Sequence, residues 1–300
     1  MHYKYYAIDP RPQSKEQNLE VFKENGSCFG IEMTIPDYKE YFEENVDPQH
    51  THKMDISAIM WIYENIQDED LPDDGSLLVT VRPDLDSIGS MALLEILRDY
   101  TLVNEDIYKR LKLIDESDRF AHGEWKKKPL PTKVEIGPLD AIGMASMDFK
   151  LPLEKRVELL KDFLLNGNIP QEYTNRVLVE KEQISAALSS GEIKIIDLGG
   201  YSYVESTHRS GTTIGYCFNP VVIAMNPEFT TGRGEKPHRK YSICQYQEGH
   251  IDLEKLLGVL QNIEPGWGGS STFIGSPQAM PSKLEPDDIK GLVYAVIERK

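Results

Sequence analysis

Residues 77–100 read LLVTVRPDLDSIGSMALLEILRDY, a short apolar run, a turn carrying Pro83 and two aspartates, and then apolar residues at helical spacing. An apolar run of that length without polar alternation reads as a strand buried on both faces. A buried strand that passes at once into a helix is half of a βαβ unit. Gly75 and Ser76 lead into this strand, Leu77–Val81, and Ser87–Tyr100 is the helix. Neighbouring segments repeat the pattern. Cys28–Ile35 reads as a strand, and Asp55–Ile66 as a helix with Asp55 as its cap. Leu111–Ile114 reads as a further short strand. Lys126–Pro138, rich in Lys and Pro, reads as a loop, and helices follow around Leu139–Met147 and Leu153–Leu165. The expectation is an α/β fold with a doubly wound, mostly parallel sheet.

The pattern breaks at Asn166–Tyr173, where Gly and Pro interrupt it, and Thr174–Ser190 reads as a helix crossing between domains. Beyond it, Ile193–Leu198, Thr213–Tyr216, Pro220–Asn226 and Lys240–Tyr246 read as strands. Ile251–Ile263 and Asp287–Ile297 read as amphipathic helices. With 300 residues, two domains are expected, 1–170 and a smaller α/β domain, 171–300.

Thirty-three Lys and Arg against 49 Asp and Glu leave a net charge of −16. That balance disfavours duplex DNA and anionic membrane surfaces as partners, and leaves room for a small anion held through cations. Three cysteines without a CxxC spacing argue against a disulfide scaffold or a zinc ribbon, and fit a reducing cytoplasm. The first residues have no apolar signal core, and no stretch approaches a membrane span.

Four segments carry candidate chemistry. Asp84 and Asp86 end the buried strand, where ligands bind in such sheets and where hard divalent cations find oxygen donors. Helix capping would account for one of these acids more readily than for two. Asp47, His50 and His52 lie within six residues and offer mixed carboxylate and imidazole ligands. Asp115, and next to it Asp118, follow Leu111–Ile114, with Arg119 as a phosphate clamp and His122 close by. Gly266, Gly268, Gly269, Ser270 and Ser271 form a glycine-dense turn whose amides and hydroxyls can face an anion. Each also has a plainer reading as a solvated loop, a charged helix start or a structural turn.

Pro83-Asp84-Leu85-Asp86-Ser87-Ile88-Gly89-Ser90 resembles the PDxDxxGS motif of the DHH phosphoesterase superfamily, and Gly266–Pro277 with the preceding helix resembles the glycine-rich end of the DHH-associated C-terminal domain. The resemblance implies a hydrolase with a dinuclear Mn²⁺-type centre (Mg²⁺, Fe or Zn²⁺ being alternatives) and a C-terminal domain that binds substrate across a cleft. It puts Asp84 and Asp86 at metal-ligand positions. The substrate would be a nucleotide, another small phosphorylated molecule or a short single-stranded nucleic acid, and a homodimer is left open. The sequence departs from the pattern in three places. Thr80 stands where the family has His, and Asp47-Pro48-Gln49-His50 replaces the literal triad and precedes the DxD, as in a permuted domain. Trp267 lies in the glycine-rich end, which lacks the usual His.

The expected reaction is metal-assisted phosphoester hydrolysis. Asp84, Asp86, Asp115 and His50 are the first ligands, with Asp47 and His52 second. His122 is a ligand or the acid for the leaving oxygen. His208 and Arg209 would neutralise substrate phosphate. The departures also admit a catalytically inactive nucleotide-binding or regulatory protein on the same fold, and an acidic interaction module is a third reading.

Overall fold

The computed structural model describes every residue except 1, 10–13, 27, 34–35, 45–55, 82, 100, 119–124, 209, 231–235, 278–279 and 299–300. The chain is mixed α/β and divides into two compact units, Met1–Phe120 with Ile136–Leu178, and Ala121–Glu135 with Val179–Lys300.

The first unit holds four strands, β1 (Lys4–Ala7), β2 (Cys28–Ile31), β3 (Phe42–Glu44) and β4 (Leu77–Thr80). They lie in the order β1-β4-β2-β3, and every pairing is parallel. Its helices are α1 (Lys15–Asn25), α2 (Ala58–Asn65), α3 (Leu85–Arg98), α4 (Glu105–Asp118), α5 (Pro138–Ser146), α6 (Leu153–Asn166) and the start of α7 (Gln171–Ser190). The central strands β2 and β4 are buried along their whole length because both sheet faces are covered there. Tyr5, Phe29, Ile31 and Leu78 pack with Ile59, Met91, Leu111 and Leu160 of the helices. Cys28, Leu77 and Val79 turn the other way, onto Phe22 of α1 and Tyr38. α3 is central to this packing, with every residue from Asp86 to Ile96 buried.

One buried carboxyl group fastens the edge strand. Glu95 of α3 is 0% exposed, and its carboxylate accepts the N–H of His2 at 2.8 Å, the N–H of Tyr3 at 3.0 Å and the Tyr5 hydroxyl at 2.5 Å.

The strand expected at Leu111–Ile114 is helical, lying inside α4. Ile107, Leu111 and Ile114 fall on one helical face and are all buried, and the Asn104 side chain caps the start by accepting the N–H of Asp106 and Ile107. A short apolar run read alone does not separate strand from buried helix. The cap expected at Asp55 lies outside the described residues, and Ser57 occupies the N-cap of α2.

The second unit carries β5 (Lys194–Asp197), β6 (Ser202–Glu205), β7 (Val221–Phe229), β8 (His238–Gln245), β9 (Gly268–Gly269) and β10 (Phe273–Gly275), in the order β5-β6-β7-β8-β10-β9. Only β6 and β7 pair in parallel, so this sheet is mixed. Its helices are α8 (Gly211–Gly215), α9 (Leu253–Ile263) and α10 (Pro286–Ile297). α9 and α10 cover one face through Leu256, Leu260, Ile289 and Val293. Ile214 of α8 joins the cluster on the opposite face. Here the sequence reading of Thr213–Tyr216 as a strand is corrected: Gly211–Gly215 is a helical turn laid close against β7. A Cβ at Gly215 would come within 2.3 Å of Val222 Cγ1, so glycine permits the approach.

The cysteines at 28, 217 and 244 are buried and free. Among the described residues, no helix is long and apolar enough to cross a membrane.

Candidate metal centre

β2 and β4 are adjacent and parallel, with Ile31 opposite Thr80, so the chain leaves the sheet side by side at their carboxyl ends. Glu32 follows β2 directly, and the Asp84–Asp86 turn follows β4. Glu32 is 5% exposed and has φ of +54°; among the described residues it is the one non-glycine residue with positive φ. That conformation costs an ordinary residue roughly 1–2 kcal/mol, and such outliers gather at functional sites.

The two turn aspartates differ. Asp84 is the N-cap of α3: its Oδ1 accepts the N–H of Ser87 at 3.2 Å, and its own N–H is donated to Ser87 Oγ at 3.1 Å. Asp86, one residue into the helix, is 1% exposed and points inward. Its Oδ2 accepts the N–H of Ala58 at 2.8 Å and its Oδ1 the N–H of Ile59 at 3.0 Å. Asp115 of α4, also 1% exposed, accepts the N–H of Ser57 at 2.9 Å through Oδ1. The N–H groups of the N-cap Ser57 and of the first two residues of α2, which have no partner within the helix, are thus held by two carboxylates from other elements.

Glu32, Asp86 and Asp118 bring one carboxylate oxygen each to within 4.8 Å of one another. Asp118 is the last residue of α4, one helical turn beyond Asp115. The donor set is all oxygen, the chemistry that Mn²⁺ and Mg²⁺ prefer over soft-ligand metals. Gly89 lies between α2 and α4, where a Cβ would meet Ile59 Cδ1 at 3.0 Å and Ile114 Cδ1 at 3.3 Å.

Asp84, Asp86 and Asp115 therefore lie in one region of the first unit, with Asp86 in the three-carboxylate group. Asp47, His50, His52, Arg119, His122 and Arg209 lie outside the described residues. The remaining sequence candidates belong to the second unit. His208 is half-buried, and its N–H is donated to Ser206 Oγ at 2.9 Å. Gly268 and Gly269 form the short strand β9, hydrogen-bonded to β10, and the Ser270 N–H is donated to the Phe273 carbonyl at 2.6 Å. At Gly269 (φ +147°) a Cβ would sit 2.0 Å from the Phe273 oxygen, so the tight hairpin accounts for this glycine. The Ser271 hydroxyl is donated to Glu248 Oε1. Glu32 was not among the sequence candidates. Its signal is the one that singled out the Asp84–Asp86 turn, an acid placed directly after a buried strand.

No protein-family profile matches the chain, and no curated protein does. Among solved structures, an uncharacterized protein from Helicobacter pylori G27 is similar over 98% of this chain and 91% of its own, at 10% identity and a TM-score of 0.21. A score that low supports no argument about fold or function.

Proposed function

We propose that the protein is a metal-dependent phosphoesterase acting on a nucleotide, short oligonucleotide or other small phosphorylated substrate. In this reading the first unit is a doubly wound DHH-like catalytic domain and the second a substrate-binding domain. The observation that carries the proposal is the meeting of Glu32, Asp86 and Asp118 at the carboxyl ends of parallel strands. Three ionised carboxylates this close repel one another, and a divalent cation relieves that repulsion while matching their hard oxygen chemistry.

Glu32, Asp86 and Asp118 would hold the cation, and His50, His52 and Asp47 complete the proposed ligand set for a second one. Bound there, Mn²⁺ supplies Lewis acidity toward a phosphoryl oxygen and a water that ionises near neutral pH. Asp86 keeps its orientation because both its oxygens are anchored by backbone N–H groups of α2. Asp115 fixes the start of the same helix. Glu32 is aimed by its backbone, since its positive φ sets the direction of the side chain. His122 would give a proton to the leaving oxygen, and Arg119, His208 and Arg209 would take substrate phosphate.

The test is Mn²⁺-dependent hydrolysis of a bis-aryl phosphodiester by the full chain and by Asp86→Asn. Turnover that needs Mn²⁺ and disappears in the variant supports the reading. Turnover that is equal in both removes the carboxylate group from it.

A second reading rests on the hydrogen bonds of Asp86 and Asp115. Capping α2 is a structural task, and it fits a catalytically inactive nucleotide-binding or regulatory protein on the same fold. Nucleotide binding without Mn²⁺ uptake or turnover would favour it.

A further inference from the structure

Arg156 of α6 is 4% exposed, an unusual place for a guanidinium. Its Nη1 donates to the carbonyl of Ser146 at 3.0 Å and to the carbonyl of Pro83 at 3.3 Å. Ser146 is the last residue of α5, where carbonyls lack helical partners and a cation is favoured. The guanidinium carbon lies over the Phe149 ring, 5.1 Å from its centroid. Nε is buried without a hydrogen-bond partner among the described residues. Burial pushes the guanidinium pKa down, and the carboxylates of Asp148 and Glu154 oppose this only through space.

A buried charge served by two carbonyls and no carboxylate is a poor device for stability, since an apolar side chain of similar volume often does as well or better. Its position suggests another role. Pro83 has no N–H, so its carbonyl is the only backbone polar group it offers at the start of the Pro83-Asp84-Leu85-Asp86 turn. The N–H of the same peptide, carried by Asp84, is donated to Ser87 Oγ, and the Asp86 carboxylate is held by the N–H groups of Ala58 and Ile59. Arg156 anchors the carbonyl side of that peptide and ties the start of the turn to the end of α5.

We infer that Arg156 is a positioning residue of the candidate metal centre: by bridging the Pro83 and Ser146 carbonyls it fixes the turn that aims the Asp86 carboxylate. The inference rests on the metal-centre reading above. Buried as it is, the guanidinium acts through the turn rather than on a substrate.

The experiment is Mn²⁺ titration of the full chain, Arg156→Met and Arg156→Lys, followed by the electron paramagnetic resonance signal of free Mn²⁺, with thermal unfolding of each. Arg156→Met is expected to weaken Mn²⁺ binding by about tenfold or more, the range for residues that orient metal ligands, while its Tm stays level or rises. Arg156→Lys, which keeps a donor and the charge, should fall between the two. Equal Mn²⁺ affinity in the wild type and Arg156→Met overturns the inference while leaving the metal centre standing. Loss of folding in both variants makes the residue structural and also overturns it. A wild-type chain that takes up no Mn²⁺ overturns the metal-centre reading, and this inference with it.

Discussion

The Asp86 carboxylate accepts the N–H of Ala58 at 2.8 Å across 28 residues of chain. The bond joins the first turn of α3 to the first turn of α2. With the bond to Ile59 and that from Ser57 to Asp115, the start of α2 is assembled on side chains that precede neither its sequence nor its cap. Ser57, the N-cap, makes no capping bond with its own hydroxyl. Two carboxylates at a helix N-terminus are favoured by the helix dipole as well as by the hydrogen bonds.

Removing that support should be measurable. Asp115→Ala leaves the buried Ser57 N–H without its acceptor, which is expected to cost about 1–3 kcal/mol. Urea unfolding of wild type and variant checks the value, and an unchanged midpoint would mean that the bond contributes nothing to α2.

Glu32 offers a separation of stability from chemistry. Glu32→Gly removes the carboxylate but relieves the positive φ, a conformation that costs a side-chain-bearing residue roughly 1–2 kcal/mol. The variant should bind Mn²⁺ more weakly and should lose less Tm than Glu32→Ala, which removes the same carboxylate but keeps the strained φ. A clear drop in Tm would show that the Glu32 carboxylate is a structural element of the sheet end.

Glu95 is predicted to matter for folding alone. Glu95→Leu leaves the part-buried N–H of His2, the buried N–H of Tyr3 and the buried Tyr5 hydroxyl without their acceptor. The loss should exceed about 3 kcal/mol, because several buried donors are orphaned together. Denaturant titration tests this, and a loss below about 1 kcal/mol, in the range of an ordinary surface change, would contradict the assigned role.

The acid side of the stability profile should depend on Asp99. Hydrogen bonds from Lys161, and then from His2, hold its carboxyl below the ordinary carboxylate range. A folded-state pKa below the unfolded one gives stability that is present above the unfolded value and disappears as pH falls through the folded value. The difference in urea midpoint between wild type and Asp99→Asn should therefore be constant near neutral pH and shrink below about pH 4. A difference that persists unchanged at lower pH would rule out the linkage.

Much of the first unit was legible because Leu77–Ser90 states its structure locally: an uninterrupted apolar strand, a proline turn and a capped helix. The same passage shows where local reading stops. That Asp84 caps α3 while Asp86 reaches α2 depends on which face of the first helical turn each occupies, and on α2 lying there. Glu32 was passed over because the expected strand ran from Cys28 to Ile35 and placed it inside, whereas β2 stops at Ile31 and leaves Glu32 directly after the strand. The strand expected at Leu111–Ile114 failed because four apolar residues fit either period, and the deciding positions, Ile107 and Asn104, lie further upstream. In the second unit, glycine density at Gly266–Gly269 suggested an anion cradle, whereas at Gly269 a two-residue strand pressed against Phe273 already requires it.

The most direct measurement of the central claim is Mn²⁺ binding to the full chain and to Asp86→Asn, by equilibrium titration with metal analysis of the protein. The account predicts saturable uptake by the wild type and affinity lower by about 100-fold or more in the variant, with the variant still folded. Uptake that is absent from the wild type, or identical in both proteins, would contradict it.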